Sequence, residues 1–172
     1  MLRTAHKDHL VIGWQEFVAL PEWGVTFIRA KSDTGARSTA VDVVSLEELP
    51  GNRVRFELAL SRNNRDKLVQ AEADISRRTR VRSAHGSTQD RLFVETTIRI
   101  GPIEKKIEVG LVCRKKMICR MLLGRTTLEG SFLVMSDERF LFGDREHHKQ
   151  KSKSKKKKSK KTTRKLKKKD MK

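Results

Sequence analysis

Polar and apolar positions alternate along most of this chain. In "RVRFELAL", residues 53–60, Val54, Phe56, Leu58 and Leu60 fall on one side, and Arg53, Arg55 and Glu57 on the other. A period of two belongs to a strand with one buried face. "LVIGWQEFVAL" (10–20) and "GVTFIRAKS" (24–32) are further strand-length runs, separated by "PEWG", where Pro and Gly punctuate a turn. "RRTRVRS" (77–83) and "DRLFVETTIRI" (90–100) bracket "AHGSTQ", the tip of a long hairpin, and "GP" at 101–102 turns the chain into "EKKIEVGLV" (104–112). "MICRMLLG" (117–124) and "SFLVMS" (131–136) complete the set. Strands at this spacing, with turn signals between them, predict an all-β sandwich or barrel. Helix is confined to one turn in "SLEELP" (45–50) and another in "GRTTLEG" (124–130).

The alternation stops after Phe142, and charge explains why. Residues 149–172 carry 15 of the 40 Lys and Arg against one acid, Asp170, so about +14 of the net +19 sits there and about +5 on residues 1–148. A Lys/Ser run of this kind buries too little apolar surface to fold alone. The chain is therefore expected to divide into an N-terminal extension (1–10), one domain (11–142) and a disordered Lys-rich tail (143–172). Cys113 and Cys119 form no disulfide framework and match no common metal spacing, so free thiols are expected. No apolar run suits a signal peptide or the roughly 18 residues of a membrane span. A soluble cytoplasmic protein with no membrane partner is the expectation.

One stretch carries candidate chemistry. "AKSDTGARSTA" (30–40) sets a lone aspartate, then Thr and Gly, between two apolar runs. By itself D-T-G is also an ordinary strand-ending turn, in which Asp bonds its own backbone and Gly supplies a positive φ. Other carboxylates are weaker candidates: Asp42 in "TAVDV" is expected on an exposed strand face, and Asp74 and Asp90 have no motif around them. Ser32, Ser38 and Thr39 flank the loop and are placed to bond to it, without a readable Ser/His/Asp arrangement. His6, His9, His85 and the pair His147–His148 are not spaced as a ligand set, so neither metal nor cofactor is expected. No G-x-x-x-x-G-K-[ST] phosphate loop is present.

Basic residues gather in and beside the same blocks: Lys31, Arg37, Arg80, Arg82, Arg91 and Arg125. Guanidinium groups pair well with carboxylates, so a cleft lined by them would take an acidic peptide; the other reading makes them solvated faces. His85, at the hairpin tip, is either an exposed turn residue or a substrate contact that changes charge near neutral pH. In the tail, Lys155, Lys156, Lys157, Lys158, Lys160 and Lys161 would contact RNA or the ribosome through phosphate charge, or merely keep the protein soluble. No aromatic residue is interleaved with them, which argues against base stacking.

In order and spacing, "AKSDTGARSTA", "RVRSAHG", a strand ending in "IRIG" and "MLLGRTTLEGSFLV" resemble the bacterial retropepsin-like aspartic endopeptidases, a family also labelled ATP-dependent zinc protease. The resemblance spans roughly residues 11–142. It implies a retropepsin-like single-lobe closed barrel with one or two short helices. It also implies Asp33 as the catalytic carboxylate, Thr34 and Gly35 supporting its loop, Gly124 leading into a short helix beneath, and residues 80–91 as a flap. Such peptidases use two carboxylates that share a proton. With one D-T-G in a single-lobe chain, the second carboxylate is expected from an identical subunit, making a homodimer. Relatives are associated with an ATP-grasp ligase that adds glutamates to a ribosomal protein, so a glutamate-rich peptide or protein substrate is implied. The zinc of the family label finds no ligand set among these residues. The competing expectation is a non-catalytic β domain bound to ribosome, RNA or the ligase, because a fold does not fix a function.

Overall fold

In the computed structural model the described residues are 9–143, except 63, 65, 83–87 and 114–117. The chain divides after Phe142 into two units, and the first holds every strand of the sheet. Its elements run β1 (Leu10–Leu20), a 3-10 turn (Pro21–Trp23), β2 (Val25–Ser32), β3 (Thr39–Leu49), β4 (Arg53–Ala59) and β5 (Leu68–Arg82). They continue with β6 (Thr88–Ile100), β7 (Ile103–Val112), β8 (Met121–Leu123), a single-turn helix α1 (Arg125–Leu128) and β9 (Phe132–Arg139). The expected all-β architecture is observed.

Five strands pair in a cycle. β3 pairs with β4, β4 with β5, β5 with β6, β6 with β7, and β7 returns parallel to β3. β3 and β5 are long enough to serve different neighbours along their length: residues 39–42 of β3 pair with β7, and residues 43–49 with β4. Both bend where the register shifts, between Val43 and Ser45 and between Ile75 and Arg77, as a bulge permits. β8, β2, β1 and β9 extend the sheet from β3, leaving β9 at an edge. The alternating residues of β4 point as expected, Val54, Phe56 and Leu58 being buried. They meet Ile12, Leu20, Ile28 and Ile98 in one apolar cluster.

Two local expectations are corrected. "SLEELP" forms no helical turn; it is the second half of β3, with Leu46 opposite Phe56 and Glu47 opposite Arg55. Its two adjacent glutamates suit a helix, but ladder bonds to β4 and the Arg55–Glu47 ion pair outweigh that local preference. The strand expected over 77–83 begins at Leu68, nine residues earlier. Ala71, Ala73, Gln70 and Glu72 are poor strand formers, and only the seven-residue ladder to β4 makes them a strand.

A buried carboxylate ties the end of the domain to its beginning. Glu16 Oε1 accepts the N–H groups of Gly13 and Leu141, each at 2.9 Å, so its burial is compensated. Phe140 stacks on Phe17 at 5.0 Å between ring centres, and Phe142 covers Gly101, where a Cβ would meet its ring at 2.6 Å. The last described segment therefore packs back across β1 and the β6–β7 turn.

Candidate active site

The position of β8 creates the site. Its three residues run parallel to the end of β2, with Leu123 opposite Ser32, and antiparallel to the start of β3, with Leu122 opposite Ala40. β2 and β3 are thus not neighbours here, and residues 33–38 must cross the end of β8 to join them. Asp33 N–H donates to Leu123 O at 2.9 Å, which fixes the loop to that strand end. The chain then folds back tightly, and the Asp33 carboxylate accepts two backbone N–H bonds on Oδ1, from Gly35 and Ala36, each at 3.1 Å. Asp33 is half-buried, and among the described residues its Oδ2 accepts no hydrogen bond. A Cβ at residue 35 would lie 3.3 Å from Oδ1, tighter than ordinary contact, so glycine there lets the peptide approach the carboxylate.

The floor under this loop is Gly124 and α1. A Cβ on Gly124 would stand 2.4 Å from the Ser38 carbonyl carbon and 2.8 Å from Arg37 O, so no side chain fits. Gly124 N–H donates to Thr39 Oγ1 at 3.0 Å, and that hydroxyl lies 2.6 Å from the Thr127 hydroxyl, all three groups buried. The first N–H groups of α1, which have no partner within a helix, donate to the loop: Arg125 to Ala36 O at 2.9 Å and Thr126 to Arg37 O at 3.1 Å. The Arg125 guanidinium reaches further, Nη1 donating to Thr34 O at 3.0 Å and to Gly35 O at 2.9 Å. At the other end of α1, Lys105 Nζ donates to Thr127 O, Glu129 O and Ser131 Oγ at 3.0–3.3 Å. Ser32 Oγ donates to Gly13 O and anchors the loop's start to β1. Lys105 escaped the reading of the sequence because it lies in no motif, and Thr127, though inside the "MLLGRTTLEGSFLV" block, was not singled out; only chain crossings show what either one bonds to.

Asp33, Thr34, Gly35, Gly124 and Arg125 are therefore gathered in one place. The Thr34 hydroxyl, expected to brace the loop, bonds to nothing among the described residues; its carbonyl does the bracing, through Arg125. Lys31 and Arg37 are exposed beside the loop and make no ion pair among the described residues. Arg80 is ion-paired to Asp90 at 3.2 Å, and the aliphatic part of Arg91 lies against Gly110 on β7. The Arg82 side chain and His85 lie outside the described residues, as do His6, the pair 147–148 and the tail lysines, so the flap tip is not described. Beside the loop opens a groove of about 470 Å³, lined by Thr34, Arg125, Leu128, Glu129, Phe132, Leu133 and Val134.

Asp42 is a correction. It is completely buried, its carboxylate joined to the equally buried Arg120 and its backbone N–H donating to Arg120 O at 2.8 Å. Thr39, Ala40, Val41, Asp42 and Val43 are all buried, so both faces of β3 are covered at this point and alternation no longer marks a solvent side. Asp42 is a structural ion pair, not part of the carboxylate site. Cys119 is buried, accepts a hydrogen bond from Gln15 Nε2 at 3.2 Å, and burial pushes its thiol up from the ordinary range. Cys113 is exposed, and both cysteines are free thiols. Among the described residues no three His, Cys, Asp or Glu side chains come together as metal ligands, so the zinc in the family label has no matching donor set there. No helix among them is long and apolar enough to cross a membrane.

A solved structure of a Legionella pneumophila protein of unknown function superposes with a TM-score of 0.65, covering 76% of this chain and 96% of the other at 22% identity, which establishes the fold. Proteins described as probable alpha-L-glutamate ligases are 30% identical over 141 residues in Shewanella pealeana and 30% over 139 in Shewanella halifaxensis. A third, from Parasynechococcus marenigrum, is 28% identical over 138 residues. These matches take in 78–80% of this chain but only 30–31% of each relative, so the chain spans under a third of their length. The sequence model described as retropepsin-like aspartic endopeptidase RimB matches residues 11–144, the whole of the described sheet with the D-T-G loop and its glycine floor. The chain belongs to this RimB-like family.

Proposed function

We propose that the protein is an aspartic-type endopeptidase whose active species is a homodimer. The observation that carries the reading is the Asp33 carboxylate, held through Oδ1 by two loop amides while Oδ2 is left without a protein partner among the described residues. In the dimer two copies of Asp33 face each other across the two-fold axis and share one proton. A water between them attacks the scissile carbonyl carbon and gives its proton to the ionised carboxylate, while the protonated one donates to the carbonyl oxygen. The tetrahedral intermediate then collapses: the C–N bond breaks, the amine nitrogen takes up the proton the first carboxylate had received, and one hydroxyl of the intermediate returns its proton to the other carboxylate as C=O re-forms, which restores the shared proton. The apolar groove beside Thr34 and the edge strand β9, with Leu133 and Met135 exposed, supply the surface for the second copy.

The substrate class is an acidic, glutamate-rich peptide. Lys31 and Arg37 are exposed beside the loop, without ion pairs among the described residues, and the named relatives are glutamate ligases. Arg82, His85 and Arg91 on the flap hairpin would extend this contact. Lys155 to Lys158, Lys160 and Lys161 would hold the protein on ribosomal RNA, near a glutamylated substrate. The test is cleavage of an oligoglutamate-tailed peptide against a neutral one, followed by mass spectrometry. Preference for the acidic peptide, lost in Asp33→Asn, is expected; equal handling of the two peptides defeats the substrate assignment.

The ligase names of the relatives favour one second reading, a non-catalytic module that modulates such a ligase. Under that reading Asp33→Asn retains every activity of the wild type, and ligase rates change with no peptide bond cut.

A further inference from the structure

Each of the two N–H groups that hold Asp33 Oδ1 belongs to a peptide unit whose carbonyl is also engaged. Gly35 N–H shares its peptide plane with Thr34 O, and Ala36 N–H shares its plane with Gly35 O. Those two carbonyl oxygens are the ones that Arg125 Nη1 binds, at 3.0 and 2.9 Å. Asp33 Oδ1 and the guanidinium therefore lie at opposite ends of the same two peptide dipoles, anion at the N–H ends and cation at the carbonyl ends.

We infer that Arg125 is a positioning residue for Asp33, acting through peptide units 34–35 and 35–36 without touching the carboxylate. Two physical effects follow. A planar peptide held at its oxygen cannot rotate, so fixing both carbonyls fixes the direction of both N–H vectors toward Oδ1. A cation at the carbonyl end also draws electron density through the amide and makes the N–H a stronger donor, the cooperative strengthening seen in hydrogen-bond chains. The Arg125 backbone N–H on Ala36 O at 2.9 Å fixes the next peptide as well, so three successive loop carbonyls are held by one residue. Arg125 is exposed, which tempers the electrostatic effect and leaves orientation as the larger part. The arrangement also explains why an arginine at the groove need not meet substrate: its Nη1 already faces the chain's own loop.

The catalytic consequence rests on the peptidase reading, but the relay itself can be read without any turnover. In the full-length ¹⁵N-labelled protein, the Gly35 and Ala36 amide protons are expected far downfield and slow to exchange. Arg125→Gln should move both upfield and raise their exchange rates at least about tenfold, one charge-assisted hydrogen bond's worth of protection. Arg125→Lys, which keeps a cation but lacks the planar fork, should fall between. Arg99→Gln removes an equal charge from the β6–β7 hairpin and should move neither amide. With the glutamate-tailed peptide, Arg125→Gln should lower kcat about tenfold with KM nearly unchanged. If neither Arg125 variant alters the Gly35 and Ala36 resonances, the relay is refuted. If the amides respond but no peptide is ever cleaved, the relay stands and the peptidase reading falls.

Discussion

At Gly124 a methyl group would overlap the backbone of Ser38, and backbone cannot step aside as a flexible side chain can. Gly124→Ala should therefore cost about 3 kcal/mol, at the upper end for overpacking, and should displace the Asp33 loop. Chemical denaturation and peptide cleavage would report the two losses together. Thr96 makes the opposite case. It is fully buried on β6 and its hydroxyl has no hydrogen-bond partner among the described residues. Thr96→Val keeps the shape and removes the uncompensated polar group, so stability should rise by about 1 kcal/mol, seen as a Tm a few degrees higher. Burial separates the two thiols: an alkylating reagent at neutral pH should label Cys113 quickly and leave Cys119 unmodified until the protein unfolds. At this scale D-T-G was legible because its backbone demands are local, whereas the later glycine was legible only through the resemblance of its block, since what excludes a side chain there is the distant Ser38. The contacts of Arg125 were not legible, because a charged residue beside a motif reads first as a ligand for substrate.

Between elements, two ion pairs behave differently with depth. Asp42 and Arg120 join β3 to the segment entering β8 and are both buried. Removing one partner takes the opposite charge away from a buried ion, so Asp42→Ala should cost about 3–5 kcal/mol, whereas Asp42→Leu combined with Arg120→Met should cost less than the single change. Equilibrium unfolding of the three variants checks this. Glu108 on β7 sits at the surface, bonded to Arg77 at 2.7 Å and to Ser76 at 3.0 Å. The Arg77 hydrogen bond is the main reason its carboxyl is held below the ordinary 4.5, against a smaller opposing effect of burial. A lowered folded value means the stabilisation is present above about pH 4.5 and is lost as the pH falls from there through the folded value. Glu108→Gln should flatten that part of the Tm–pH curve and leave the neutral region nearly parallel. The strands with clear alternation, such as β4, were readable to within a residue or two. The first half of β5 and the second half of β3 were not, because their strand state comes from pairing with β4 and not from their own residues.

For the whole molecule the proposed dyad makes a stoichiometric prediction. Mixing equal amounts of wild type and Asp33→Asn, with time to exchange subunits, should leave about one quarter of the activity expected for all-wild-type dimers if both carboxylates are required. An independent monomer would retain about one half. Leu133→Glu with Met135→Glu, on exposed β9 positions, should shift sedimentation toward monomer and abolish cleavage with the sheet intact by circular dichroism. Removing residues 149–172 should eliminate salt-sensitive RNA binding, since counterion release needs the clustered cations, and leave cleavage unchanged.

By itself the sequence determined the class of fold, the candidate carboxylate and the glycines around it, and the place where alternation gives way to charge. Those are properties of a residue and its near neighbours: a period of two, a bond of Asp to its own loop, a missing Cβ. Tertiary structure alone decided that a three-residue strand separates β2 from β3, that Thr127 and Lys105 support the site, and that Asp42 is sealed against Arg120. It also decided that Arg125 grips the far side of the peptides that hold Asp33. Each of these joins residues dozens of positions apart, and such a contact exists only when burial of the common core has brought both ends of the crossing together.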